Sequence, residues 1–271
     1  ILGKIQMINL QKETEFFQKV SGLVFKLISK EKTFATKYKG RKNIPNPVTS
    51  SDIAVENLLS REITKLFPTD KILGEESSSD LIIDPKVRTW IIDPICGTIN
   101  YARGVKNFCT NIALAYQGNI IAACVLDHAR EEFIWSIGNN EVYINDVLAK
   151  ATNHPTPLID VDLGGSYYLK DDKVKSKYAN FLLDILTKTN FIPVSYNTSL
   201  GFAYTAIGRL DGYFVIAPHV WDVAAANFLL IQSGGTVSDI SGKPWNLNSK
   251  NVLAARDKSV HKKLLNLYLN S

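Results

Sequence analysis

The sequence contains few residues that would cross-link the chain, span a membrane or give it a strong charge. Cysteine occurs three times in 271 residues, and Lys plus Arg exceed Asp plus Glu by only 31 to 26. An odd number of irregularly spaced cysteines argues against a disulfide framework and predicts a reducing, cytoplasmic location. No apolar run approaches the ~18 residues that suggest a transmembrane helix, so we predict no membrane association. The net charge of +5 is too small to indicate a nucleic-acid polymer as a partner.

Apolar residues, in contrast, are abundant and make up 45% of the chain. In a chain of this length, that content is enough to bury a large core. Apolar positions recur mostly every three or four residues over about 8–29, which predicts an amphipathic helix. A second helix is predicted to begin near Ser50 or Ser51, either of which can cap it, and to end before Pro68. The basic segment 31–46 between them contains a glycine and a proline and is predicted to be a loop.

The period of the apolar pattern then changes. Short β-rich runs, some of them separated by the turn sequences 118–119 and 138–139, predict antiparallel hairpins. Farther along, helical and strand patterns alternate, which is typical of βα units and a partly parallel sheet. A helix-breaking stretch around Pro155 separates the two patterns. We therefore predict an α/β fold with an α+β subdomain over 1–150 and an α/β subdomain over 151–271.

Three acidic residues stand at the ends of predicted elements rather than on solvated helix faces. Glu75 and Asp93 each follow a predicted strand, and Asp222 begins a predicted helix. Each residue alone has an ordinary explanation, namely a solvated turn, an Asp-Pro turn and a helix cap. Together, however, they can supply the oxygen ligands that a hard cation such as Mg²⁺ requires.

Gly97 and Thr98 follow the second acidic residue closely. If a short helix starts there, its free N–H groups and its positive end favour a phosphate group. A cation held beside those N–H groups would create a site for phosphoryl transfer.

Several motifs in this order resemble the inositol monophosphatase family, which belongs to a lithium-sensitive group of metal-dependent phosphatases. The main ones are Gly74-Glu-Glu-Ser77, Trp90-Ile-Ile-Asp-Pro-Ile-Cys-Gly-Thr-Ile-Asn-Tyr101 and Trp221-Asp-Val-Ala-Ala225. Further similarity lies in 47–52, 199–201 and 234–239, so that the resemblance extends over about 8–268. It implies a layered αβαβα sandwich of two subdomains, similar to other carbohydrate phosphatases and usually paired as a homodimer.

The resemblance also implies a metal site. Glu75 and Asp93, with the carbonyl group of Ile95, would hold a first cation. Asp93, Asp222 and the residue at position 96 would hold a second. The implied cofactor is Mg²⁺, with Mn²⁺ or Zn²⁺ as alternatives.

The implied reaction is hydrolysis of a small phosphorylated metabolite by a metal-activated water. Glu75 and Thr98 would position and activate that water, and Asp52 would support Thr98. The residues implied to contact the substrate are Cys96, Gly97, Thr98, Gly201, Phe202, Ala203 and Asp222. The family resemblance therefore predicts an inositol-monophosphatase-like phosphoric monoester hydrolase.

Cys96 departs from the family's motif, which has an aspartate at this position. A neutral thiol is a poor ligand for Mg²⁺, because soft sulfur does not suit a hard cation. Three consequences are open: a slow enzyme with one strong metal, an ionised Cys96 that favours Mn²⁺ or Zn²⁺, or a protein that binds phosphorylated ligands without turnover. Cys109 and Cys124 lie in apolar strands and are expected to be inert.

The substrate is less well defined than the family. The inositol-specific enzymes have a glutamate seven residues before the metal-binding aspartate of the third motif, where this chain has Val215. Phe202 also stands where a small polar residue often follows the glycine. Both changes remove hydrogen-bonding groups, and a site without them cannot strongly favour a polyol. Fructose bisphosphate, histidinol phosphate, nucleotide 3′-phosphates and NADP therefore remain candidates beside inositol monophosphate.

Overall fold

The computed structural model describes residues 10–30, 36–39, 46–78, 81–150, 154–164 and 169–271. The strands of these residues form two main sheets, one of seven strands and one of five. A two-stranded hairpin formed by β1 (Thr36–Lys39) and β2 (Asn46–Thr49) lies apart from them.

The seven-stranded sheet belongs to the first half of the chain and has the strand order β3-β4-β5-β6-β7-β8-β9. Its strands are β3 (Lys71–Gly74), β4 (Thr89–Cys96), β5 (Cys109–Tyr116), β6 (Asn119–Asp127), β7 (Glu132–Ser136), β8 (Tyr143–Ile144) and β9 (Val147–Leu148). All neighbours from β4 onward pair antiparallel, and only β3 and β4 are parallel. The predicted hairpins are therefore present.

The helices of the first half are α1 (Gln11–Lys30), α2 (Ser50–Leu66) and the short α3 (Thr98–Ala102). Side chains alternate between the two faces of β4, as the pleat of a strand requires. Trp90 and Ile92 pack with α1 and α2, whereas Ile91 faces the opposite core. Phe16 of α1 lies against Trp90 with ring centroids 4.9 Å apart.

The second half of the chain forms the five-stranded sheet, in the order β11-β10-β12-β14-β13. Its elements are β10 (Leu158–Asp162), α4 (Asp172–Lys188), β11 (Ile192–Val194), α5 (Leu200–Ala206), β12 (Gly212–Ile216), α6 (Val220–Gln232), β13 (Thr236–Ser238), β14 (Asn251–Ala255) and α7 (Lys258–Asn270). β10 pairs parallel with β11 and β12, and β14 pairs antiparallel with β12 and β13. The sheet is thus partly parallel, as predicted.

Five layers follow from the three main clusters of buried side chains. One cluster joins α1 and α2 to the seven-stranded sheet. A second places α5 and α6 between the two sheets, and a third joins α4 and α7 to the outer face of the five-stranded sheet. This αβαβα arrangement confirms the predicted fold class. The division into subdomains 1–150 and 151–271 stays a prediction, because α6 packs on the strands of the first half.

The structure corrects three local predictions. Thr49, and not Ser50 or Ser51, caps α2, since its hydroxyl oxygen accepts the N–H groups of Ser51 and Asp52. The segment 31–46, predicted to be a loop, contains β1 and the first residue of β2, while its other residues lie outside the described ranges. The strand β10 was not predicted, because its two aspartates interrupt the apolar pattern of Leu158–Asp162.

Candidate functional site

The acidic residues singled out in the sequence come together between the two sheets. Asp93 lies in β4, Cys96 ends the same strand, and Asp222 lies in the first turn of α6. One ligand atom from each of the three lies within 4.8 Å of the other two. A β-bulge between Asp93 and Cys96 interrupts the pairing of β4 with β5. Such a bulge re-aims side chains.

Asp93 lies at the centre of this group. Only 1% of its surface is exposed, and its Oδ1 atom has no hydrogen-bond partner in the described part of the chain. Its Oδ2 atom accepts a long hydrogen bond of 3.4 Å from Asn111 Nδ2. Burial, together with the nearby Cys96 and Glu75, raises the pKa of Asp93 well above its ordinary value. An isolated buried carboxylate is costly unless a positive charge compensates it, so the site is suited to a cation.

Glu75 and Asp222 contribute to the same electrostatic field. Glu75 follows β3 directly, and its N–H group donates to Ile92 O at 3.2 Å, which holds it beside β4. Burial and then the charge of Glu75 raise the pKa of Asp222 well above its ordinary value. Asp222 Oδ2 also accepts the N–H group of His219 at 2.7 Å, so this residue caps α6 as well. The helix cap and the contribution to the acidic site are therefore compatible.

Thr98 opens α3 beside the acidic group, and its hydroxyl has two acceptors. Thr98 Oγ1 lies 3.0 Å from Ile95 O and 3.2 Å from Asp52 Oδ1. Asp52 is fully buried in the first turn of α2, where the N–H group of Thr49 donates to its Oδ2 atom at 2.8 Å. The structure thus brings Asp52, Thr98 and the carbonyl group of Ile95 into one hydrogen-bonded set, while their predicted catalytic and metal-binding roles stay predictions.

Gly97 connects β4 to α3 in a left-handed conformation, with φ of 95°. A Cβ atom at this position would lie 2.5 Å from Thr198 Cγ2. Both the positive φ and the close approach require glycine. The predicted phosphate contact of the Gly97 and Thr98 N–H groups stays a prediction.

Asn111 is a site residue that the sequence motifs did not reveal. It lies in β5 with 1% of its surface exposed. Its Nδ2 atom lies 2.7 Å from Ser199 Oγ and 3.4 Å from each of Asp93 Oδ2, Trp221 O and Asp222 O. It therefore links β4, α5 and α6 around the acidic group. A lone amide in an otherwise apolar strand was the available signal, since buried amides need several partners.

Cys96 is half-buried and is surrounded by polar groups. Ser199 donates to its Sγ atom from both the backbone N–H group, at 3.3 Å, and the hydroxyl group, at 3.2 Å. A hydrogen bond with Cys109, together with burial, raises the pKa of Cys96. All three cysteines are free thiols.

The three predicted substrate residues of α5 are all buried. Phe202 and Ala203 have no exposed surface, and Phe202 stacks on Tyr213 with ring centroids 4.7 Å apart. Their side chains belong to the core between the sheets, and the predicted contact of these residues with substrate stays a prediction. Gly201 packs against Asp160 and is buried as well.

Val215 is likewise buried and offers no hydrogen-bonding group, as its sequence indicated. Its partner in the register of the neighbouring parallel strand is Asp162. The carboxylate of Asp162 accepts hydrogen bonds from Tyr213 Oη at 3.0 Å and from the N–H group of Gly164 at 2.8 Å.

Among the residues that the structure describes, no helix combines the length and apolar content that crossing a bilayer requires.

Comparison with known proteins places this site in a family. The model of the inositol monophosphatase family matches residues 8–270. Among curated relatives, the inositol monophosphatase of Dictyostelium discoideum is 30% identical over 83% of this chain and 82% of its own. The Nus factor SuhB of Salmonella typhimurium is 29% identical over 81% of this chain and 82% of its own. The fructose-1,6-bisphosphatase/inositol-1-monophosphatase of Thermotoga maritima is 30% identical over 76% of each chain.

Solved structures agree on the fold. The inositol monophosphatase from Anabaena has a TM-score of 0.79 at 24% identity and covers 97% of both chains. The inositol monophosphatase from Thermotoga maritima has a TM-score of 0.78 at 24% identity and covers 96% of both chains. With the family model matched over nearly the whole chain, the protein belongs to the inositol monophosphatase family of phosphatases.

Proposed function

We propose that this protein is a Mg²⁺-dependent phosphomonoesterase that hydrolyses a small phosphorylated metabolite with a metal-activated water. The observation that carries the proposal is the convergence of Asp93, Cys96 and Asp222, with Asp93 Oδ1 buried and unpartnered among the described residues. The raised pKa values of Asp93 and Asp222 support it, because a bound positive charge would favour the ionised form of both carboxyl groups. The proposed substrate is inositol monophosphate or a related sugar or nucleotide phosphate.

The donor set fits one hard cation well. Glu75, Asp93, Asp222 and the carbonyl group of Ile95 are oxygen donors, which Mg²⁺ prefers. Cys96 fits Mg²⁺ poorly and fits Mn²⁺ or Zn²⁺ better, because its sulfur is soft. When bound, the cation would stabilise negative charge on the phosphoryl group and lower the pKa of a water molecule.

The protein groups would supply orientation and proton transfer. Thr98, held by Asp52, would orient the attacking water, and the carboxylate of Glu75 would accept its proton. The N–H groups of Gly97 and Thr98 would hold phosphate oxygens. We further propose a cytoplasmic homodimer, which the family resemblance and the three free thiols support.

The test is phosphate release from a panel of inositol, sugar and nucleotide phosphates with Mg²⁺, Mn²⁺ or Zn²⁺. Glu75→Gln and Asp93→Asn should each lower the rate by at least ~10²-fold, because each removes a charge that acts on the reacting groups. Asp172→Asn, whose side chain is 95% exposed on α4, is the matched control and should retain the native rate. Full activity in either site variant would show that the assigned site is wrong.

The second candidate is a family member that binds phosphorylated ligands or a protein partner without turnover. Cys96 favours it, and so do the relatives named Nus factor SuhB, whose name does not describe a phosphatase. Cys96→Asp separates the two candidates, because it restores an oxygen donor. If the native chain is silent with every metal while Cys96→Asp releases phosphate, the binding candidate is correct. Turnover by the native chain with any of these esters would exclude it.

A further inference from the structure

Two of the three thiols face each other at the edge of the metal site. Cys96 ends β4 and Cys109 begins β5, and the two residues are partners in the antiparallel register. Partners in such a ladder have Cα atoms ~4.5–5.5 Å apart. Disulfides need Cα separations of ~4.4–6.8 Å, so the backbone is already suited to a bond between the two residues.

The side chains meet as well. Ser199 Oγ lies 3.2 Å from Cys96 Sγ and 3.4 Å from Cys109 Sγ, so both sulfur atoms lie on the same hydroxyl group. Cys96 is half-buried, whereas Cys109 is fully buried behind it. An oxidant that enters the site therefore reaches Cys96 first, with Cys109 next to it.

We propose that hydrogen peroxide converts Cys96 and Cys109 into a reversible disulfide, and that this bond removes the Cys96 donor from the metal site. The loss of turnover that we expect rests on the proposed phosphatase function, whereas formation of the bond does not.

The chemistry needs one molecule of peroxide per protein. The Cys96 sulfur attacks one oxygen of the peroxide, the O–O bond breaks, and the thiol proton leaves with the departing hydroxide as water, which gives a sulfenic acid. The Cys109 sulfur then attacks the Cys96 sulfur, the S–OH bond breaks, and a second water leaves. The two sulfurs have lost two electrons, and the peroxide has gained them.

Cys124 provides an internal control. It lies in β6 opposite Ile112, and its side chain belongs to the cluster that packs with α1 and α2 on the other face of the sheet. Cys109 belongs to the cluster between the two sheets. Cys124 therefore has no thiol opposite it in the ladder and should stay reduced.

The test counts thiols in the full-length protein with its metal bound. After brief exposure to peroxide, the protein is denatured, alkylated and weighed. Three thiols should label before oxidation and a single one, Cys124, afterwards, with restoration of all three by dithiothreitol. Peptide mapping should recover a peptide linked through Cys96 and Cys109. A sulfinic acid at Cys96 with Cys109 still free would overturn the proposal.

Variants separate the disulfide from general oxidation. Cys124→Ser should form the same disulfide as the native protein. Cys109→Ser should keep the native activity before oxidation, but its Cys96 should form a sulfenic acid, which dimedone labels, or a sulfinic acid, and no disulfide-linked peptide. Cys109→Ala serves the same purpose if the serine variant fails to fold, as judged by circular dichroism. Loss of two thiols to a disulfide in either Cys109 variant would also contradict the proposal, because it would show that Cys96 pairs with another cysteine.

Phosphate release provides an independent measurement. Peroxide should remove the activity of the native protein, and dithiothreitol should restore it. A disulfide in a protein that never releases phosphate would support the bond and reject the phosphatase function. Turnover that persists after the bond has formed would reject the role of the disulfide as a switch and leave the phosphatase function intact.

Discussion

Gly201 lies directly against Asp160, so that a Cβ atom at position 201 would come within 1.7 Å of Asp160 Oδ2. Asp160 is fully buried in β10, and its Oδ2 atom has no partner among the described residues. Its other oxygen accepts the N–H group of Tyr196 at 3.1 Å, which fixes the carboxyl group in place. The start of α5 can therefore approach β10 only because residue 201 has no side chain.

We expect Gly201→Ala to destabilise the protein by about 1–3 kcal/mol, because overpacking forces neighbouring groups to shift. The free energy of unfolding in urea measures the effect. Gly22→Ala is the matched control: Gly22 lies in α1 with open space around its Cα atom, and alanine there should stabilise by ~0.5–1 kcal/mol. Equal effects at both positions would show that the contact with Asp160 carries no energy.

Ala217 precedes the helix that carries Asp222 and has a left-handed conformation, with φ of 57°. This conformation costs an L-residue about 1–2 kcal/mol, while glycine adopts it readily. Ala217→Gly should therefore raise the free energy of unfolding by about 1 kcal/mol after the entropy of the unfolded glycine is deducted. Ala179→Gly, on the exposed face of α4, should lower it by about 1 kcal/mol. If Ala217→Gly lowers the free energy of unfolding, the left-handed backbone of Ala217 does not store strain.

We expect Asn111 to affect metal affinity although its side chain is not among the proposed metal ligands. It donates to Ser199 Oγ and to Asp93 Oδ2, and thereby orients groups around the acidic site. Residues that orient ligands typically change metal affinity 10–100-fold, and we expect Asn111→Ala to weaken Mn²⁺ binding by about that factor. Isothermal titration calorimetry measures it. Asn119→Ala, at the exposed start of β6, is the control, and an unchanged affinity in Asn111→Ala would reject the role.

The buried charge of Asp93 should cost stability in the metal-free protein. Its native pKa is raised above the unfolded value of about 3.9, so the native state holds a proton that the unfolded state loses as the pH rises. Stability from this group is complete below the unfolded value and is lost as the pH rises through the native value. Asp93→Asn should therefore stabilise the protein in EDTA, and more so at about pH 7.5, above the unfolded pKa, than at about pH 3.5, below it.

Comparing the native protein with Asp93→Asn isolates the contribution of Asp93 to the pH dependence of stability. Burial lowers the pKa of His128 to about 3, which gives a pH dependence of the opposite sign, but this contribution is the same in both proteins. Thermal unfolding at the two pH values measures the difference. A gain that is independent of pH would mean that Asp93 is not the group that titrates.

Local patterns in the sequence were enough to predict much of the fold and the site. Apolar periodicity predicted α1 and α2, and turn residues predicted the hairpins of the seven-stranded sheet. The position of Asp93, Cys96 and Asp222 in one cluster was expected from the motifs, and the structure places their ligand atoms together. These features depend on neighbours in sequence or on motifs whose order is fixed.

The features that were not predicted depend on contacts between distant residues. β10 contains Asp160 and Asp162, which are both buried. Two carboxyl groups are tolerated there because of the groups in the sheet and in α5 that pack around them. Phe202 was predicted to contact the substrate, yet its ring stacks on Tyr213 of β12 in the core. The role of Asn111 likewise depends on residues in α5 and α6 that no local pattern relates to β5.

The acidic site joins β4 in the first half of the chain to α6 in the second. Neither half alone contains the donor set that we propose for the cation, so a nascent or partly folded chain would have no tight site for it. An ion that binds only the finished protein adds RT ln(1 + [L]/Kd) to its stability, or about 2.7 kcal/mol at a hundredfold excess over Kd. The supply of metal in the cell would then set how long each finished molecule survives proteolysis, as well as how fast it works.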